Sequence, residues 1–347
     1  MNPRPPRART WAAALLGILT LALSGIAAQV TGATTTTGAT GKGNVTAAVP
    51  VARPHCGAGA PEELAHAVGE VATRIYGAEL SSSETQSDQR EVEGYGPLLS
   101  AIAGGNTAAI EAADTSLVYS HTHIVRLRIT KGSTVLADVG GPYILAPVSG
   151  SLRLNGRTIA HYVLSVQDDL GYVKLVTRFL GVALVMRVGS HQLPVEGMLS
   201  PGPASIPAEG PVTYRHVHYE SFSFNARSFP GGPLRISLLV ALPASLSAET
   251  CPEIKSAELG HAAQLISRRF ALSPEAFPGF IKLTSILTHG LLYIRSGSHQ
   301  LAGSTEPGPR SLPSTGAVSY RHRTYEVYSF TAPTTVGQVR IYQLVTP

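Results

Sequence analysis

Apolar residues recur along this chain with two alternating periods. From Pro61 to Tyr76 they fall at Leu64, Val68, Val71 and Ile75, the stripe of an amphipathic helix. Pro61, Glu62 and Glu63 suit its first turn, where the helix dipole favours negative charge. The Ala-rich stretch 91–120 reads as a helix broken at Gly104-Gly105. The period then drops to two. "HIVRLRIT" and "STVLADVG" predict strands, and "SLRLNGRTIAHYVLSV" predicts a hairpin turning on Asn155-Gly156. Asp168-Asp169 is placed to cap a short helix over "LGYVKLVTRFLG". Three more strands are expected in "ALVMRVG", "VTYRHVHYESFSF" and "LRISLLVALP". Helices that alternate with tightly connected strands give an α+β fold, an antiparallel sheet with helices on one side.

The pattern then repeats. Residues 169–193 align without a gap to 277–301, each ending in "GSHQL", at an offset of 108. Residues 201–224 match 307–330 at an offset of 106. Upstream, "CGAGAPEELAHAVGEVATRI" (56–75) aligns with "CPEIKSAELGHAAQLISRRF" (251–270) at an offset of 195, which leaves 87 residues of the first copy, roughly 82–168, without a counterpart. The expected organisation is a full domain over 56–245 and a shortened repeat over 250–347. The shorter copy would lose part of its sheet and cover the exposed edge by packing on the first copy or by homodimerising. Residues common to both copies, including His66/His261, His191/His299 and His216/His322, are assigned to packing. Residues of the unmatched block are the better functional candidates.

The first thirty residues change the cellular picture. "RPPRAR", the apolar run Trp11–Ala28 and the small residues at Gly25–Ala27 form an export signal over 1–28. An uncleaved anchor is the rival reading, because the run could just span a bilayer. Either way the chain is placed outside the cytoplasm, secreted or held at the outer face of the membrane. Residues 29–55, rich in Thr, Gly and Ala, read as a flexible leader. The chain is 44% apolar and 14% charged with a formal net charge of +5, and it has no basic stripe interleaved with aromatics, so nucleic-acid binding is set aside. Two cysteines in an exported chain, Cys56 and Cys251, suggest a disulfide, although two separate thiols at equivalent positions would give the same spacing.

Residues 123–175 carry a resemblance. "VLADVGGPYILAPV" followed by "RLNGRTIAHYVLSVQDD" is similar to the sheet core of the Cache superfamily, in particular the PDC type of extracytoplasmic sensor domain. The resemblance implies a PAS-like sheet with a long N-terminal helix, a small-molecule pocket and a sensory role, usually within a receptor that continues through the membrane to a kinase or chemotaxis module; the partner expected for this chain is a separate membrane signalling protein. It also implies that the loop after Asp138, with Tyr143, helps to line the pocket.

Strand alternation puts Arg126 and Arg128 on one face, suited to a carboxylate or phosphate. With Asp138, Tyr143 and His161 they form the expected ligand-binding set, beneath a hollow of at least ~300 Å3. A zinc or copper site at His121 and His123 is the weaker alternative. No G-x-S-x-G elbow and no H-E-x-x-H is present, and no cofactor motif is found, so a non-enzymatic binding protein without a cofactor is expected. The alternatives are a structural or protein-interaction module of the cell envelope and, less favoured, a secreted hydrolase.

Overall fold

The computed structural model describes residues 46–47, 55–120, 124–243, 246 and 249–347. The export segment, most of the leader, and His121 and His123 lie outside the described residues. Within the leader, Thr46–Ala47 forms a two-residue strand. No helix among the described residues is long and apolar enough to cross a membrane.

The fold is α+β, with antiparallel strand pairing throughout. It divides into two compact units. One comprises the described residues of 78–171, and the other those of 35–77 and 172–347. The division therefore does not follow the repeat boundaries. The block that the second copy lacks is a compact unit of its own, and both copies of the repeat belong to the other unit.

In chain order, the first copy opens with α1 (Ala60–Ser81). The inserted unit follows with α2 (Ser83–Gly94), α3 (Gly96–Ala103) and α4 (Thr107–Ser120). Its strands are β1 (Arg126–Lys131), β2 (Thr134–Gly140), β3 (Val148–Leu154) and β4 (Arg157–Ser165). They form a sheet in the order β2-β1-β4-β3. Asn155 (φ 49°) and Gly156 (φ 75°) make the β3–β4 turn as the sequence predicts. The sheet buries one face. Leu127, Ile129, Leu152 and Leu164 pack with Leu98, Ile110 and Leu117 of the helices, all fully buried or within 2% of it. Each such side chain contributes ~1.5–3 kcal/mol. Helix α2 escapes the sequence reading because only Thr85, Asp88 and Val92 of it are buried.

The first copy resumes with α5 (Asp169–Leu180), β5 (Ala183–Val188), β6 (Glu209–Tyr214), β7 (Val217–Phe229) and β8 (Gly232–Ala241). Asp168 accepts the Gly171 amide at the start of α5, the expected cap. The second copy has α6 (Cys251–Ser267), α7 (Phe277–Thr288), β9 (Leu291–Ser296), β10 (His299–Gly303), β11 (Thr315–Tyr320), β12 (Arg323–Thr334) and β13 (Gly337–Val345). The strand order is β6-β7-β8-β5 in one copy, with His191–Gln192 beside β5, and β11-β12-β13-β9-β10 in the other. The two orders correspond strand for strand. The second copy keeps a counterpart of every strand in that order, so the expectation of a cut sheet seeking a cover is corrected. The length difference is an inserted unit in the first copy, where the second has only the link 268–276 between its helices.

Two further corrections concern registers. "VTYRHVHYESFSF" is not one strand but a hairpin, β6–β7, turning on Arg215 (φ 50°) and His216 (φ 64°). The second copy turns identically on Arg321 (φ 50°) and His322 (φ 63°). His216 therefore sits in the turn and His218 on β7. The helix alignment shifts by one turn. Gly69 faces Phe222, where an added Cβ would lie 2.1 Å from Cδ1, and Gly260 faces Tyr328 in the same way, also at 2.1 Å. Phe222 and Tyr328 correspond without a gap, so Gly69 matches Gly260 and the helix offset is 191 rather than 195. His66 then matches Ala257, not His261, and the cysteines are not equivalent. They are bonded to each other, Cys56 to Cys251, across a sequence separation of 195.

Candidate functional site

In the inserted unit, Arg126 and Arg128 share the sheet face opposite the core, as expected. Asp138 lies directly across from Arg128 and takes both guanidinium groups. Arg126 Nε donates to Oδ1 at 2.7 Å and Nη2 to Oδ2 at 2.8 Å. Arg128 Nε donates to Oδ2 at 2.8 Å, and its Nη2 to Oδ2 at 2.5 Å. Arg126 Nη1 also donates to the Gly141 carbonyl. Partial burial raises the Asp138 carboxyl pKa, but the hydrogen bonds and charges of the two arginines outweigh it and hold the pKa below the usual range. His161 is on the same face, opposite Thr130 and Ser151, and its Nδ1 is 3.1 Å from Ser151 Oγ. Tyr143 lies in the bend before the short strand Ile144–Leu145. The structure thus joins three of the five expected residues into one knot with a net positive charge. Asp138 offsets one of the two positive charges and fixes both guanidinium groups.

A second arginine pair is arranged differently. Arg187 on β5 and Arg235 on β8 are direct cross-strand partners. Like charges so placed repel and cost stability. Among the described residues no carboxylate pairs with either. Both are oriented by carbonyls instead. Arg187 Nη2 donates to Pro203 O, and Arg235 Nη2 to Ile206 O at 3.1 Å and to Ser223 Oγ at 3.3 Å. They open on a cleft of about 240 Å3 whose wall includes Ser190, Ser205 and Ser237. Ser237 Oγ is 2.9 Å from Ser223 Oγ. Guanidinium forks and hydroxyl donors around an unneutralised double charge are the chemistry of an oxyanion site.

The second copy supplies the comparison. Arg295 and Arg340 are again cross-strand partners. Arg295 is buried, and it donates to Pro309 O as Arg187 does to Pro203 O, and to Arg310 O at 2.9 Å. In place of Ser237 stands Tyr342, whose ring centre is 6.0 Å from the Arg295 guanidinium carbon. The arginine that pins the following loop is common to both copies. The small residue that leaves room beside it belongs to the first alone. The site is hidden in the sequence because Arg187 and Arg235 have counterparts in the second copy and so read as packing. The signal available was the Ser237/Tyr342 difference inside an otherwise matching strand.

No family model and no curated protein matches the chain. Among solved structures, the chain is similar to the periplasmic domain of LuxQ from Vibrio cholerae, at 10% identity over 83% of this chain and 100% of that one. The TM-score is 0.17, too low to tie the two folds together.

Proposed function

We propose that the chain is an exported binding module for a small oxyanion, held in the first copy of the repeat between Arg187 and Arg235. One observation carries this reading: two facing guanidinium groups share a serine-walled cleft with no carboxylate between them. The ligand is a phosphate, a sulfate or a compact carboxylate. The volume falls short of the ~300–1,000 Å3 typical of larger organic ligands. The expected receptor role thus keeps its polar or anionic ligand and moves to a different sheet. Binding here requires no cofactor and no chemical step, and a membrane signalling partner would read the occupied state.

The test is thermal denaturation of the purified chain in phosphate, sulfate and small carboxylates, against chloride at matched ionic strength. A bound anion raises Tm by mass action, about 2.7 kcal/mol of stabilisation at a hundredfold excess over Kd. Arg235→Gln should abolish the rise. An equal rise in the variant, or none in the wild type with any of these anions, removes the proposal.

A further inference from the structure

A second cleft, of about 470 Å3, lies along α1, and its wall includes Glu62, Glu63, His66, Glu70 and Lys255. Glu62 and His66 are four residues apart and so point the same way from the helix. Glu209, at the first position of β6, meets them from the sheet. One ligand atom from each of Glu62, His66 and Glu209 lies within 4.8 Å of the others. His66 Nε2 is 3.4 Å from Glu209 Oε1. The imidazole is set by an aromatic neighbour: its ring centre is 5.2 Å from that of Phe222, edge to face. Phe222 is the cross-strand partner of Glu209 and also covers Gly69. The histidine and the strand carboxylate are thus held by one packed contact.

A further carboxylate adds to the negative charge near Glu62. Glu220 on β7 is only 7% exposed. It lies two residues before Phe222, so strand alternation turns it toward the same helix face. It is close enough to Glu62 to feel its charge. None of the described hydrogen bonds or ion pairs reaches its carboxylate. The acidic groups around the cleft outnumber its lysine.

The repeat again discriminates. The second copy keeps carboxylates at the positions of Glu62 and Glu220, as Glu253 and Glu326. It has Ala257 for His66 and Thr315 for Glu209. The nitrogen donor and the strand carboxylate are confined to the first copy.

We infer that Glu62, His66 and Glu209 form a binding site for a divalent transition-metal cation such as Zn2+, with Glu220 as a further negative charge beside Glu62. One imidazole and two carboxylates suit such an ion, and the open side of the cleft leaves a position for water. Bonds of about 2.0–2.2 Å require the three donors to close in by roughly 1 Å, which side-chain rotation at an exposed rim allows. Two acidic side chains from one helix and one strand would then be cross-linked by the ion. This site is independent of the anion cleft, and its test is run without phosphate.

The experiment is calorimetric titration of the metal-stripped full chain with ZnCl2, and separately with MgCl2. One equivalent of Zn2+ should bind and raise Tm. His66→Ala should lose that equivalent. Glu209→Gln, at an exposed position, should weaken it at least tenfold while leaving the circular dichroism spectrum unchanged. Unaltered Zn2+ affinity in both variants would put the ion among the other histidines and overturn the site. So would no Zn2+ binding at all, or equally tight Mg2+ binding, which needs no imidazole. If His66→Ala fails to fold, Glu62→Gln takes its place, with the same loss expected and the same retention fatal.

Discussion

Asp114 offers the sharpest test of the inserted unit's interior. It lies on α4, is fully buried, and neither carboxylate oxygen has a hydrogen-bond partner. Burial, then the charges of Asp138 and Glu111, push its pKa from 3.8 to about 8. The folded chain therefore holds this proton across a range in which the unfolded chain has released it. The sign follows: stability is fully present below the unfolded pKa and is lost as pH rises toward the folded one. Between pH 4 and 7 the shift amounts to about 4 kcal/mol as a ceiling, at ~1.4 kcal/mol per unit, and local opening to water lowers it. Asp114→Asn removes the titration while keeping the shape. Guanidinium unfolding at pH 5, 6.5 and 8 should show the wild type losing a few kcal/mol with rising pH, and Asp114→Asn losing distinctly less. Asp114→Leu, which also removes the orphaned polar atoms, should flatten the dependence as far. Glu79, Glu84 and Glu258, each raised to about 7 by burial, supply a residual slope common to all three proteins. Identical slopes in wild type and Asp114→Asn would show that Asp114 is hydrated or partnered, and would refute the reasoning.

Two other outcomes follow from the repeat unit. Reduction of Cys56–Cys251, or Cys56→Ser with Cys251→Ser, releases a loop of 195 residues. It should lower stability by up to ~5 kcal/mol in the chain-entropy account, read as a drop in Tm with and without reductant. Gly69→Ala and Gly260→Ala should each destabilise by ~1–3 kcal/mol in denaturant, because the aromatic ring behind each glycine must move, and this exceeds the ~1 kcal/mol of helix propensity gained. A neutral effect at Gly260 alone would undo the one-turn shift in the alignment of the copies.

Much of the architecture was legible in local pattern. The opening helix, the break at Gly104-Gly105, the Asn155-Gly156 turn and the cap by Asp168 each follow from a residue type that only one backbone conformation serves well. The "GSHQL" words mark the repeat in the sequence; that each forms a tight hairpin turn following β5 and β9 is seen only in the structure. What misled was the helix register. A shift of four residues along an Ala-rich helix keeps nearly the same face buried, so apolar periodicity cannot choose between offsets of 191 and 195. The offset of 195 is simply the spacing of Cys56 and Cys251, which bond to each other and are not equivalents. Only the rings behind Gly69 and Gly260 decide it. Alternation alone puts Arg126 and Arg128 on one face of β1, but their pairing with Asp138 depends on which strand lies beside β1, a long-range fact. The Arg187–Arg235 pair lies across two strands that are 48 positions apart in sequence, and periodicity within either strand is silent about it.

Ser237, where the second copy has Tyr342, leaves room for an oxyanion between two arginines. Isothermal titration of inorganic phosphate into the wild type and Ser237→Tyr tests it directly. Binding to the wild type, and its loss in a variant that melts no lower, is the predicted result. Retained phosphate affinity in Ser237→Tyr would contradict the claim.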